Sequence, residues 1–121
     1  MVLVVGNPVI LEKTREVLNG TRQVFLASDS TEAIELARSL DFSVTLVDLD
    51  LRGARGFELI RKLHGQFPER PIIAIASTSV SRNHLLESLG HSGVVEILQK
   101  PITQEWKPTM EKVRAMYGPT R

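Results

Sequence analysis

Residues 43–63 read SVTLVDLDLRGARGFELIRKL. Val44 to Val47 form a short apolar run, Asp48 stands at its C-terminal end, and a loop bearing Gly53 and Gly56 follows. Leu59, Ile60 and Leu63 then begin an amphipathic helical stripe. This is the shape of a βα unit. Open α/β sheets present their ligands outside the carboxyl ends of the strands, so an acidic side chain in that place is a candidate reactive or ion-binding carboxylate.

The same unit recurs along the chain. Val2–Val5, Val24–Ala27, Val44–Val47, Ile72–Ile75 and Val94–Leu98 are rich in Val, Ile and Leu and lack strict alternation, as expected of parallel strands covered on both faces. Helical stripes separate them. Ala33, Leu36, Ala37 and Leu40 follow i, i+3, i+4, i+7 spacing, with Asp29 and Glu32 placed as N-cap and N3 of a capping box. Leu85, Leu86 and Leu89 form another stripe, and Trp106, Met110, Val113 and Tyr117 line the last helix. The first helix is less regular, with Pro8 near its start and Ile10, Leu11, Val17 and Leu18 as core positions. Gly20, Gly65 and Gly90 are expected to close helices in the left-handed conformation. Pro108 fits the first turn of the last helix or delays its start. The expected fold is α/β, a doubly wound five-stranded parallel sheet of order 2-1-3-4-5 with five helices. One domain is expected over 1–117, with 118–121 a helix stop and the start of a linker.

With 121 residues and 42% hydrophobic content, the chain can bury a real core. A net charge of +1 argues against a nucleic-acid footprint. The absence of cysteine excludes disulfides, thiolate metal sites and thiol catalysis and agrees with a cytoplasmic location. No apolar run reaches the roughly 18 residues of a membrane span. His64, His84 and His91 share no metal-ligand spacing, and Gly53-Ala54-Arg55-Gly56 lacks the lysine and length of a phosphate-cradling loop. No nucleophile and base occur as a recognisable pair, so the chain is not read as an enzyme.

In the 2-1-3-4-5 order, strand ends converge. Gly6-Asn7, Asp48 with Asp50, Ala76-Ser77-Thr78 and Gln99-Lys100-Pro101 should meet at one shallow site. Asn7, Asp48, Asp50, Ser77 and Lys100 are the candidate pocket. A lysine facing an aspartate there can hold an ion pair or neutralise a transferred phosphoryl group.

These residues make the chain resemble a response-regulator receiver domain, along its whole length. Asp48 falls at the family's phosphoacceptor position. Gly56 with Phe57-Glu58-Leu59 matches its glycine and acidic helix opening, Pro71 precedes strand four, and Lys100-Pro101 matches its Lys-Pro pair. The resemblance implies a CheY-like module of two-component or phosphorelay signalling. Its partners would be a sensor histidine kinase or an output domain, with a homodimer through the helix 4–strand 5–helix 5 face as a further expectation. Direct nucleic-acid or membrane contact is not expected.

The departures from the family cluster in the chemistry. The two acidic residues that hold Mg²⁺ at the end of strand one are replaced by Gly6 and Asn7. Ala76 stands for the usual Ser/Thr, Ile97 for the switch aromatic, Arg52 for a proline and Arg55 for an aspartate. Mg²⁺ takes hard oxygen ligands and usually one or two carboxylates. Asp48 remains as a metal-ligand candidate, and Mg²⁺ binding is expected to be weak. The expected function is an atypical receiver with a degraded phosphorylation pocket, acting as a protein-interaction module. The alternative is a small-anion or nucleotide-binding module on the same scaffold.

Overall fold

The computed structural model describes residues 2–18, 23–50, 55–77, 81–89, 92–100 and 106–117. Strands and helices alternate in the order β1 (Val2–Val5), α1 (Pro8–Leu18), β2 (Val24–Ala27), α2 (Ser30–Ser39), β3 (Val44–Asp48), α3 (Arg55–Gln66), β4 (Ile72–Ala76), α4 (Arg82–Leu89), β5 (Val94–Gln99) and α5 (Trp106–Tyr117). All strand pairings are parallel, and the sheet order is β2-β1-β3-β4-β5, the expected one of the two common doubly wound arrangements.

The apolar runs are buried on both faces because helices cover both. On one face Leu3, Val5, Val47, Ala74 and Ile97 pack against Ala33, Ala37, Leu59, Ile60, Leu63, Leu85 and Leu89 of α2, α3 and α4. On the other, Val4, Leu46, Ile73, Ile75 and Leu98 pack against Ile10, Leu11, Val17, Trp106 and Val113 of α1 and α5. Period-two alternation along β3 assigns Leu46 to one layer and Val47 to the other.

Three strands run one residue further than their apolar runs. Asp48 pairs with Ile75, and Ala76 pairs with Gln99. The added residues are polar or small, so hydrophobicity alone does not mark them, yet they carry the C-terminal edge of the sheet. Between β4 and β5 the register jumps from Ile72–Val94 to Ile73–Glu96. Val95 is therefore the extra residue of a bulge.

Caps define the helix starts. Asp29 Oδ1 accepts from the Glu32 N–H at 2.8 Å, and Glu32 reaches back to accept from the Ser28 N–H, one residue before the N-cap. Pro108 is the third residue of α5, inside the first turn, where its missing N–H leaves no bond unmade. At the opposite end of the sheet from the loop after Asp48, Arg70 donates to the carbonyl of Ala37 at 2.7 Å and stacks over Phe67. It ties the end of α2 to the α3–β4 connection.

Gly65 departs from expectation. It lies inside α3, which continues to Gln66, and a Cβ there would meet nothing within 4 Å. Gly20 and Gly90 lie outside the described residues. Among the described residues the glycine with positive φ is Gly93 (φ +87°), where the chain turns into β5 and a Cβ would sit 2.5 Å from His64 Nδ1.

The same substitution should therefore have opposite signs at two glycines. Gly65→Ala should stabilise the fold by about 0.5–1 kcal/mol, because alanine lowers the entropy cost of helix formation. Gly93→Ala should cost more than about 1 kcal/mol through backbone strain and the clash with His64. Urea denaturation midpoints will read both, and equal midpoints for the two variants would contradict the account.

Candidate functional site

Backbone pairing builds the site. Val5 pairs with Val47, so Gly6 follows beside Asp48, and the Leu49 N–H donates to the Ile75 carbonyl at 2.9 Å. The Lys100 N–H donates to the Ala76 carbonyl at 2.9 Å, which brings the residue after β5 to the same edge. Gly56 lets α3 start close against this edge. A Cβ there would lie 2.7 Å from the Asp48 carbonyl oxygen and 2.9 Å from Leu49 Cα, backbone atoms that cannot move aside.

Asp48 is 1% exposed. Its Oδ1 accepts from the Asp50 N–H at 2.9 Å, an Asx turn that fixes the carboxylate with its own loop. Its Oδ2 is buried and has no hydrogen-bond partner among the described residues. Among the described residues the nearest cation is Lys100 Nζ, at 3.4 Å, in an ion pair. Lys100 instead donates to Asp50 Oδ2 at 3.0 Å, although the Asp50 side chain is 57% exposed. The structure thus brings Asp48, Asp50 and Lys100 together, with one ammonium between two carboxylates.

Asn7 faces a different task. Its Oδ1 accepts from the Ile10 N–H at 3.0 Å, and its carbonyl accepts from the Leu11 N–H at 3.0 Å. It is the N-cap of α1, with Pro8 at the first helical position. A Cβ at Gly6 would sit 3.4 Å from Asp48 Cβ but only 3.0 Å from Ile10 Cγ2. The space beside Asp48 that a side chain at position 6 would enter is bordered by an apolar methyl. Sequence reasoning placed Ile10 in the core, where it is, but not beside the pocket, although recognising Asn7 as the cap would have placed it at N3.

Ser77 is half-buried just past β4, and Ala76 is buried at the strand's last position. Ile97 is buried and pairs with Ala74. Thr78, Arg52, the Arg55 side chain and Pro101 lie outside the described residues.

Residues 2–107 match the family model described as "Response regulator receiver domain". The chain belongs to the response-regulator receiver family. Among solved structures it is similar to the receiver domain of NtrX from Brucella abortus, with 20% identity, a TM-score of 0.82 and coverage of 95% of this chain and 98% of that one. It is likewise similar to the chemotaxis protein CheY4 of Vibrio cholerae, with 25% identity, a TM-score of 0.82 and coverage of 93% and 96%. A protein-glutamate methylesterase/protein-glutamine glutaminase of Burkholderia thailandensis is 28% identical over 93 residues, 77% of this chain. The chain spans 26% of the length of that relative.

Receiver domains typically bind Mg²⁺ beside the phosphoacceptor. In this receiver the donor atoms do not fit that ion. Asn7 Oδ1 is taken by the helix cap, position 6 has no side chain, Asp50 Oδ2 is held by Lys100, and an ammonium stands within 3.4 Å of Asp48 Oδ2. Among the described residues no group of three or more His, Asp or Glu converges as a metal cluster.

Burial pushes the Lys100 ammonium pKa down, but the hydrogen bond to Asp50 and the charges of Asp48 and Asp50 more than offset this, leaving it raised above its ordinary 10.5. A raised folded-state pKa means the ammonium's contribution to stability is complete below the unfolded pKa. That contribution is lost as pH rises through the folded value. The stability gap between wild type and Lys100→Gln should stay constant from neutral pH to about 10 and shrink above it. Urea midpoints across that range will measure it, and a gap that stays flat through strongly alkaline pH would contradict the assignment.

Proposed function

We propose that this receiver is a regulatory interaction module whose Asp48 pocket is poorly equipped for magnesium-assisted phosphoryl transfer. The observation that carries the reading is the end of β1, where Asn7 caps α1 and Ile10 borders the space beside Gly6. Forming an aspartyl phosphate brings a dianionic group to an anionic carboxylate, and a divalent cation ordinarily relieves that repulsion. With two carboxylates and one ammonium, the cluster carries a formal charge of −1 before any phosphoryl group arrives, and Mg²⁺ affinity is accordingly weak.

The output relay is also short of parts. Ala76 offers no hydroxyl to a phosphoryl group, and Ile97 is already buried in the apolar layer with Ala74 and Leu85. A ligand shifts a conformational equilibrium only by its differential affinity for the two states, and little here distinguishes them. The module therefore works through constitutive contacts of the α4–β5–α5 face. Leu85, Leu89, Ile97, Trp106 and Val113 turn into the core, so the contact surface is polar, from Asn83, His84, Glu87 and Ser88 on α4 to Glu111 and Lys112 on α5. Its partner is an output domain or a sensor kinase, and the match to part of a longer methylesterase supports the first. No helix among the described residues is long and apolar enough to cross a membrane.

A small-anion or nucleotide site at this edge gains no support from its net negative cluster. The groove of about 550 Å³ beside α1 is lined by Glu12 and Glu16 as well as Pro8, Leu11, Arg15 and Leu26, again a poor lining for an anion.

Incubating the protein with a small acyl phosphate and Mg²⁺, then measuring intact mass, tests the reading. The wild type should gain little or no phosphoryl mass, and Gly6→Asp with Asn7→Asp should gain more, provided Ile10 shifts to admit the new side chain. Prompt, Mg²⁺-dependent addition of one phosphoryl group to the wild type, absent in Asp48→Asn, would overturn it.

A further inference from the structure

The two edges of the sheet are built differently. At the β5 edge the strand bulges at Val95 and carries a charge, Glu96. The Lys100 N–H points to β4, so alternation turns the Ile97 N–H outward, where Glu96 Oε1 accepts it at 2.9 Å. Bulges, charges and occupied edge amides keep a strand from pairing with another chain.

The β2 edge has none of these. Val24-Phe25-Leu26-Ala27 is uncharged and pairs with β1 in unbroken register. Val2 and Gly6 donate to the carbonyls of Gln23 and Ala27, so alternation turns the N–H and C=O of Val24 and Leu26 away from β1. Among the described residues nothing pairs with those groups. Val24, Phe25 and Leu26 are half-buried, whereas the whole of neighbouring β1 is buried. Between this edge and α1 runs the groove of Pro8, Leu11 and Leu26, bordered by Glu12, Arg15 and Glu16. These charged side chains are exposed, and among the described residues none of them makes an ion pair.

We infer that this edge is an interface for a second copy of the chain, β2 pairing antiparallel with β2 of the partner about a twofold axis through Phe25. The outward groups set the register. In an antiparallel pair, mutually hydrogen-bonded positions alternate with non-bonded ones. Placing Phe25 against the partner's Phe25 sets Val24 opposite the partner's Leu26, and every outward N–H and C=O of Val24 and Leu26 is then bonded. Other symmetric registers set one of them against a residue outside β2 or one already bonded to β1. The same axis lays α1 beside α1 of the partner on one face of the joined sheet. An isologous contact is self-complementary, so Arg15 of each chain meets Glu12 and Glu16 of the other. That self-matching row is why the occupant is a second copy. The strand is short, and interfaces under about 1,200 Å² are weak, so the dimer is a weak one. The α4–β5–α5 face lies at the opposite edge and stays free, so this inference is independent of the function proposed above.

Sedimentation equilibrium of the full chain at up to about 1 mM tests the proposal and should show a monomer–dimer equilibrium. Val24→Pro should weaken it at least about tenfold, because proline removes an N–H aimed at the partner and none aimed at β1. Arg15→Glu should weaken it too, and adding Glu12→Arg and Glu16→Arg to that variant should restore it. Because the chain has no cysteine, single cysteines report the register. In a glutathione redox buffer Phe25→Cys should become a disulfide-linked dimer, since opposed non-bonded residues lie about 4.5 Å apart at Cα, within disulfide reach. Lys62→Cys, on α3, should stay monomeric. If Phe25→Cys does not fold, mixed Val24→Cys and Leu26→Cys chains should cross-link to each other in its place. A monomer at every concentration overturns the proposal. So does a dimer that keeps its affinity in Val24→Pro and Arg15→Glu, or β2 cysteines that link no faster than Lys62→Cys.

Discussion

A carboxylate buried to 1% exposure is the constraint on which the C-terminal edge depends. An uncompensated buried charge costs several kcal/mol, so Asp48 persists only because its surroundings answer it. Part of the answer is local, the Asp50 N–H on Oδ1. The other part comes from Lys100, a residue 52 positions further along that arrives only because β4 and β5 pair in register. The bulge at Val95 adjusts that register, and the start of α3 presses on the Asp48 carbonyl through a glycine that nothing larger could replace without moving backbone. The sheet order and the pocket are thus one construction.

The end of β1 shows how the same scaffold can carry a different charge balance. Asn7 spends its side-chain oxygen on the first turn of α1, stabilising a helix rather than facing a cation. Ile10, held at N3 by that cap, borders the ground beside Asp48 with hydrocarbon. Among the described residues, the cation beside Asp48 is the Lys100 ammonium.

Much of the architecture was legible in the sequence because doubly covered parallel strands are written as unbroken Val/Ile/Leu runs. The five runs and the Asp29–Glu32 cap appear directly as elements. The edges of the site were less visible. Asp48, Ala76 and Gln99 continue their strands through backbone pairing, which leaves no mark in side-chain hydrophobicity. The glycine reading failed at Gly65 because its position near a helix end, not its φ, suggested a cap. Gly93 was invisible because its need for positive φ arises from the turn into β5 and the packing of His64. Among the pocket residues, the approach of Lys100 to Asp48 follows from strand order. Its stronger bond to Asp50 does not, since it depends on how a two-residue Asx turn aims an exposed side chain.

The central claim is the proposal that the Asp48 pocket, with Lys100 already beside its carboxylates, stays in one arrangement. Backbone amide spectra of the wild type, recorded with and without a beryllofluoride phosphate mimic in the presence of Mg²⁺, test it most directly. The account predicts weak, non-saturating changes confined to the neighbours of Asp48. Large, saturable shifts spreading from Asp48 through Ile97 to α5 would show a working switch and contradict it.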